Sequence, residues 1–85
     1  MKQFTYIITE ELGIHARPAG LLVRMAKSFS SDIELTCKGK TVNMKKLIAL
    51  MALSPKKDDT VVITLTGSDE VIATQKLQNY FKKTL

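Results

Sequence analysis

Apolar and polar residues alternate without a break from Asp32 to Lys38. Ile33, Leu35 and Cys37 fall on one side; Asp32, Glu34, Thr36 and Lys38 fall on the other. A period of two is that of a strand with one buried face. Lys38-Gly39 then marks a tight turn, and Lys40 to Asn43 reads as a short return strand. A hairpin of this kind commits the chain to an antiparallel or mixed sheet with one apolar face, which other elements must cover.

The flanking segments supply both more strands and the cover. Phe4, Tyr6 and Ile8 alternate with Thr5, Ile7 and Thr9, which predicts a first strand. From Ala16 to Phe29 the period changes. Ala19, Leu22, Val23, Ala26 and Phe29 fall at helical spacing, with Arg24, Lys27 and Ser28 off the stripe. Lys46 to Leu53 reads as a short apolar helix closed by Ser54-Pro55. Thr60 to Thr66 is rich in β-branched residues, with Val61, Ile63 and Leu65 on one face. Gly67-Ser68-Asp69 breaks that strand and is expected to cap a last helix carrying Ala73, Leu77 and Phe81. The order is β-α-β-β-α-β-α, a two-layer α+β sandwich in which the two longer helices cover the apolar face.

At 85 residues the chain is expected to form one domain, and no apolar run reaches the ~20 residues of a membrane helix. No stable membrane insertion and no export signal are expected, which makes the cytoplasm the default location. The one cysteine, Cys37, belongs to the strand pattern and reads as a small core residue. With one cysteine and one histidine, a metal site would lack its usual ligands, so no metal or cofactor is expected. The net charge of +5 favours acidic partners. The lysines are scattered, and no basic run is interleaved with aromatics. A nucleic-acid-binding domain is therefore disfavoured.

The only histidine lies in Gly13-Ile14-His15-Ala16-Arg17-Pro18-Ala19-Gly20, where the first helix begins. The first amides of a helix have no internal partners, and with the helix dipole they attract anions. Pro18 fits a first turn, where its missing N–H costs nothing. Arg17 is out of place, since a cation there opposes the dipole by about 0.3–1 kcal/mol. A bound phosphate would reverse that cost, and arginine suits a forked grip on phosphate. A neutral imidazole beside such a site can attack phosphorus. The backbone of Ala16 and Arg17 and the Arg17 guanidinium would then hold the phosphoryl oxygens. The plain alternative is a surface histidine, with Arg17 paired to Glu10 or Glu11.

The motif from Gly13 to Ala19 resembles the active-site signature of the HPr family, the histidine-containing phosphocarriers of the bacterial phosphoenolpyruvate:sugar phosphotransferase system. Gly39 to Ile48 resembles the same family around its second helix, and the likeness extends over residues 1–85 as one HPr-like domain. The resemblance implies an open-faced β-sandwich of four antiparallel strands with three helices on one face. It implies that His15 is phosphorylated on Nδ1 by enzyme I, with Arg17 assisting, and passes the group to IIA components for sugar uptake. It also implies a monomer that docks its partners through Gly20, Leu21, Arg24 and Lys27 on the first helix, and through Lys45, Lys46, Leu47, Ile48 and Met51 around the second. Leu47 and Ile48 are then expected at the surface, with Leu50 and Leu53 in the core.

Two positions depart from the family. Lys46 stands where many members carry a regulatory serine, so seryl phosphorylation there is excluded, and Ser54 and Ser68 are poor substitutes by position. Leu12 replaces a small polar residue and is similar to nitrogen-branch paralogues, as is Ile48-Ala49-Leu50, whereas Gly39 to Asn43 is similar to the sugar type. The alternative is a nitrogen-branch or regulatory HPr-like protein acting through protein binding.

Overall fold

Lys38 and Gly39 both adopt positive φ, 53° and 77°, and the chain reverses between Cys37 and Lys40. Such a turn matches the twist of the strands it joins. The computed structural model describes residues 1–85. Its elements are β1 (Lys2–Ile7), α1 (Ala16–Lys27), β2 (Asp32–Cys37), β3 (Lys40–Asn43), α2 (Leu47–Leu53), β4 (Thr60–Thr66) and α3 (Glu70–Thr84). The four strands form one sheet in the order β1-β4-β2-β3, antiparallel throughout. β4, late in the chain, is therefore central, while β1 and β3 are the edges.

Alternation decides which face is dry. Phe4, Ile33, Leu35, Cys37, Val61, Ile63 and Leu65 are buried, whereas their neighbours Thr5, Glu34 and Thr66 are exposed. Burial of the Cys37 thiol pushes its pKa up. α3 packs on β1 and β4, α2 packs on β3, and α1 lies against both helices. The three helices thus share one face of an open four-stranded sheet. Phe81 of α3 meets Phe4 and Tyr6 edge-on, with ring centroids 5.8 and 5.4 Å apart. Each such pair adds about 0.5–1.5 kcal/mol beyond the area it buries.

Several boundaries differ from the periodicity. β1 covers residues 2–7, not 4–9. Ile8 is buried beyond it, exchanging backbone hydrogen bonds with Asp58 and Asp59. α1 ends at Lys27, so Phe29 joins the core from the following turn, and Lys38 belongs to the hairpin turn. Leu53 is half-buried and packs at the margin of the core, in contrast to Leu50, which is fully enclosed. Ser54, which follows, takes a left-handed conformation (φ 49°) and donates its N–H to the Leu50 carbonyl.

Asp69 precedes α3 as expected, but its side chain does not cap that helix. It accepts hydrogen bonds from the N–H groups of Ser30 (2.8 Å) and Ser31 (3.0 Å) and from the Ser31 hydroxyl. The carboxylate therefore ties the turn after α1 to the start of α3.

Candidate functional site

The loop before His15 is shaped by contacts distant in sequence. Gly13 has φ +67°, and a Cβ there would lie 2.2 Å from the Pro55 carbonyl oxygen. Only glycine meets both conditions. The Gly13 N–H donates to Glu10, Ile14 donates to the Pro55 carbonyl at 2.9 Å, and His15 donates to the Gly13 carbonyl at 3.1 Å. Ile14 is buried, so its neighbour His15 is presented from an anchored backbone.

His15 is the N-cap of α1, with extended backbone (φ −97°, ψ −172°), and its carbonyl accepts from Ala19. Its imidazole makes no capping bond, and the side chain is half-exposed. The amides of Ala16 and Arg17 precede the first intrahelical bond, and Pro18 has none to offer. The first turn contains no acidic residue. Arg17 is exposed and joins no ion pair; Glu11 pairs instead with Lys57 at 3.4 Å. The alternative in which Arg17 is neutralised by Glu11 or Glu10 is thus not the arrangement observed.

His15, Arg17, Pro18 and Leu21 line one side of a shallow cleft of about 200 Å³. Glu10, Tyr80 and Thr84 line the other. The Tyr80 hydroxyl lies 3.5 Å from the Pro18 carbonyl as its donor, and burial pushes the Tyr80 phenol up. The Leu85 carbonyl accepts from the N–H groups of Thr9 and Glu10, which brings the end of α3 beside the motif. Glu10 lies just upstream of the motif, but nothing local in sequence signals Tyr80 or Thr84 as neighbours of His15. The sheet order and the packing of α3 against α1 put them there.

Beside the cleft, Leu21, Arg24 and Lys27 are exposed along α1 and Gly20 is half-buried, with open space above its Cα. On α2, Leu47 and Met51 are exposed at 40% and 42%, and Ile48 at 84%. Since α1 packs on α2, these two sets of residues lie on adjoining helices. Lys46 is exposed at the N-cap of α2. Lys45, the other expected docking cation of this region, has an internal partner. It is half-buried, and its ammonium donates to the Phe29 carbonyl at 2.9 Å, beyond the end of α1. That bond uses one of the three ammonium donors and fixes where the charge is held.

No three His, Cys, Asp or Glu side chains cluster as metal ligands would, and no helix is long and apolar enough to cross a membrane.

The family model described as the PTS HPr component phosphorylation site matches residues 2–83. Among solved structures, a histidine-containing phosphocarrier protein of Mycoplasma is 34% identical with a TM-score of 0.94, over 98% of this chain and 94% of that one. The phosphocarrier protein HPr of Bacillus anthracis is 35% identical with a TM-score of 0.88, over 94% and 95%. Crh of Bacillus subtilis, a catabolite repression protein seen as a domain-swapped dimer, is 35% identical with a TM-score of 0.77, over 100% and 98%. A family match across nearly the whole chain, with relatives of closely similar fold that share a third of its residues, leads to one conclusion: this chain belongs to the HPr family of phosphotransferase-system phosphocarriers.

Proposed function

We propose that the chain carries a phosphoryl group on Nδ1 of His15, taken from enzyme I and delivered to IIA components during sugar uptake. The observation that supports this most directly is the pairing of an uncommitted imidazole with an uncommitted guanidinium. His15 and Arg17 line the same cleft at a helix start whose first two amides have no partners.

In the transfer step the Nδ1 lone pair of neutral His15 attacks the phosphorus of phosphorylated enzyme I. The new N–P bond forms as the donor's N–P bond breaks, and the donor imidazole leaves with its electron pair. In a second exchange a IIA nucleophile attacks the phosphorus carried by His15, and the Nδ1–P bond breaks as the imidazole takes back its electron pair. The phosphoryl oxygens gain the Ala16 and Arg17 amides, the dipole of α1 and the Arg17 guanidinium. Catalysis is then mostly positioning and charge stabilisation, with no metal or base of its own.

The exposed residues of α1 and α2 support a docking face of leucine, isoleucine and methionine ringed by Arg24, Lys27 and Lys46. Such a face steers acidic partners electrostatically and releases them readily. The same reading makes the protein a cytoplasmic monomer, in contrast to the swapped Crh relative. Lys46 carries no hydroxyl, so control by seryl phosphorylation at that position is absent.

The likeness to Crh favours a second reading, a regulatory protein that acts by binding. Incubation with phosphoenolpyruvate, magnesium and enzyme I separates the two. Acid-labile phosphate, absent from His15→Ala, is expected by intact mass. Unlabelled wild-type protein would sink the carrier reading, and label persisting in His15→Ala would sink the site. Sugar- and nitrogen-branch IIA proteins, added in turn, then identify the branch by which of them discharges the label.

A further inference from the structure

α2 has three distinct sides. Leu50 is in the core, and Leu47, Ile48 and Met51 form the exposed stripe described above. Ala49, Ala52 and Leu53, spaced i, i+3, i+4, make a third stripe. They line a groove of about 590 Å³ whose other lining residues are Lys38 of the hairpin turn and Lys40, Thr41 and Val42 of β3.

The open backbone groups of β3 follow from the hairpin. A two-residue turn makes Cys37 and Lys40 exchange both ladder bonds, and bonding then alternates along the pair. Leu35 with Val42 is the next bonded pair, and the Met44 N–H, 2.8 Å from the Ile33 carbonyl, continues the series. Lys40, Val42 and Met44 therefore direct their backbone to β2, whereas Thr41 and Asn43 direct theirs away from the sheet. The Asn43 carbonyl is already used by the Lys46 N–H at 3.0 Å. The N–H and C=O of Thr41 and the N–H of Asn43 remain open along the edge.

Side chains around this edge select what can pair with it. Val42, Ala49, Ala52 and Leu53 supply an apolar lining, and the two alanines leave it roomy. Lys38 and Lys40 supply positive charge. Lys38 is shared with Asp59 at 3.3 Å, while Lys40 joins no ion pair. A second copy of the chain pairing antiparallel through Thr41 and Asn43 would bring no acidic side chain to Lys40, since this edge holds only Lys40, Thr41, Val42 and Asn43. A nucleic acid would meet the lysines but would leave the apolar lining and the strand edge unmatched.

We propose that the groove between β3 and α2 is a second docking site, which takes an extended acidic segment of a partner protein as a fifth strand. Main-chain bonds to Thr41 and Asn43 would give it register. Lys40 and Val42, two apart, share the face toward α2, so an apolar side chain of the segment would enter between Val42 and the alanines and an acidic one two positions away would meet Lys40. The site shares no residue with the His15 cleft, so it stays open whether or not His15 is charged.

The probe is a blocked hexapeptide with valine and glutamate two positions apart on one face and threonine at the positions between, titrated into the 15N-labelled full chain. Amide shifts are expected at Thr41, Asn43, Ala49, Ala52 and Leu53, with slowed hydrogen exchange at Thr41. Lys40→Glu should weaken binding about tenfold. Thr41→Pro should abolish it, because proline at an outward-facing edge position leaves the β2 ladder intact. Ala52→Phe, at an exposed site, fills the groove and serves as the second block should the proline variant fail to fold. Enzyme I-dependent labelling of His15 should be unchanged in Lys40→Glu and Ala52→Phe. Absence of shifts at millimolar peptide would overturn the proposal. So would equal binding of a peptide with lysine for glutamate, undiminished binding by Ala52→Phe, or shifts centred on Arg17 and Arg24. Self-association through the groove in peptide-free protein would also overturn it.

Discussion

The Ile14 amide donates to the carbonyl of Pro55 at 2.9 Å, so the loop that presents His15 is fastened to the turn that follows α2. The motif loop and the segment that leaves α2 are thus one mechanical unit. The proposed docking helix and the proposed phosphoryl site share a backbone bond and the close approach of Gly13 to the same carbonyl.

Gly13→Ala tests that unit. The new methyl would meet the Pro55 oxygen and Lys56 Cα, and the backbone there has positive φ. A loss of about 2–3 kcal/mol is expected in urea unfolding. Phosphoryl acceptance should fall at temperatures where the variant is still folded, because the loop must shift. Full acceptance at full stability would show that the Gly13–Pro55 contact is dispensable.

Ser54→Gly acts in the opposite direction. Ser54 holds a left-handed conformation at the end of α2, which is costly for any residue with a Cβ. Glycine at that position should raise stability by about 0.5–1 kcal/mol with no change in phosphoryl transfer. Calorimetry with a parallel transfer assay checks both parts.

Arg17→Ala should separate function from stability. Arg17 has no carboxylate partner and sits at the positive end of α1, so alanine should stabilise the free protein by about 0.3–1 kcal/mol. The rate of phosphoryl acceptance should fall about a hundredfold. Arg17→Lys should retain the charge without the fork and fall between the two. Arg17→Ala that transfers at the wild-type rate would remove Arg17 from the site.

Asp69 predicts an acid limb. The Ser31 hydroxyl, with the N–H groups of Ser30 and Ser31, lowers its pKa to about 2. The folded value lies below the unfolded one, so the stabilisation is complete above about pH 4 and is lost as the pH falls toward 2. Asp69→Asn should lower stability at pH 7 and shrink the drop between pH 4 and 2. Asp59 and Glu70, also held below the usual range, leave part of that drop in place. Urea midpoints across pH 2–7 give the comparison, and an unchanged acid limb in Asp69→Asn would assign the effect to other groups.

Lys46 predicts a regulatory silence. Incubation with HPr kinase and ATP should leave the wild type without seryl phosphate, and Lys46→Ser should acquire it. Stoichiometric seryl phosphate on the wild type would place the modified residue elsewhere.

What could be read before folding was whatever repeats with a period. The alternation of β2 and β4 and the Ala19–Ala26 stripe of α1 lie as the pattern says, because each side chain there answers to a single buried face. The ends of β1 and α1 moved by two residues. Ile8 and Phe29 are core residues held by turns, and periodicity assigns every apolar residue to the adjoining element. Asp69 was legible as a residue before a helix. Its bonds to Ser30 and Ser31, 39 and 38 residues away, were not. Lys45 reads as a surface cation, and only the packing of α1 against α2 reveals the Phe29 carbonyl waiting for it. In the His15 cleft, one wall is written in the motif. Tyr80 and Thr84 line the cleft only once α3 has docked.

The sheet order also governs how the chain comes together. β4 is the centre of the sheet and pairs residues 60–65 with residues 2–7. Closing so long a loop costs chain entropy before any contact repays it, which slows folding. During synthesis the β2–β3 hairpin can form early, from residues that lie next to each other. Phe4 and Tyr6 must wait for β4 and for Phe81 beyond it. The nascent chain therefore emerges with its first strand sticky and unpartnered, and β4 and α3, made last, complete the assembly.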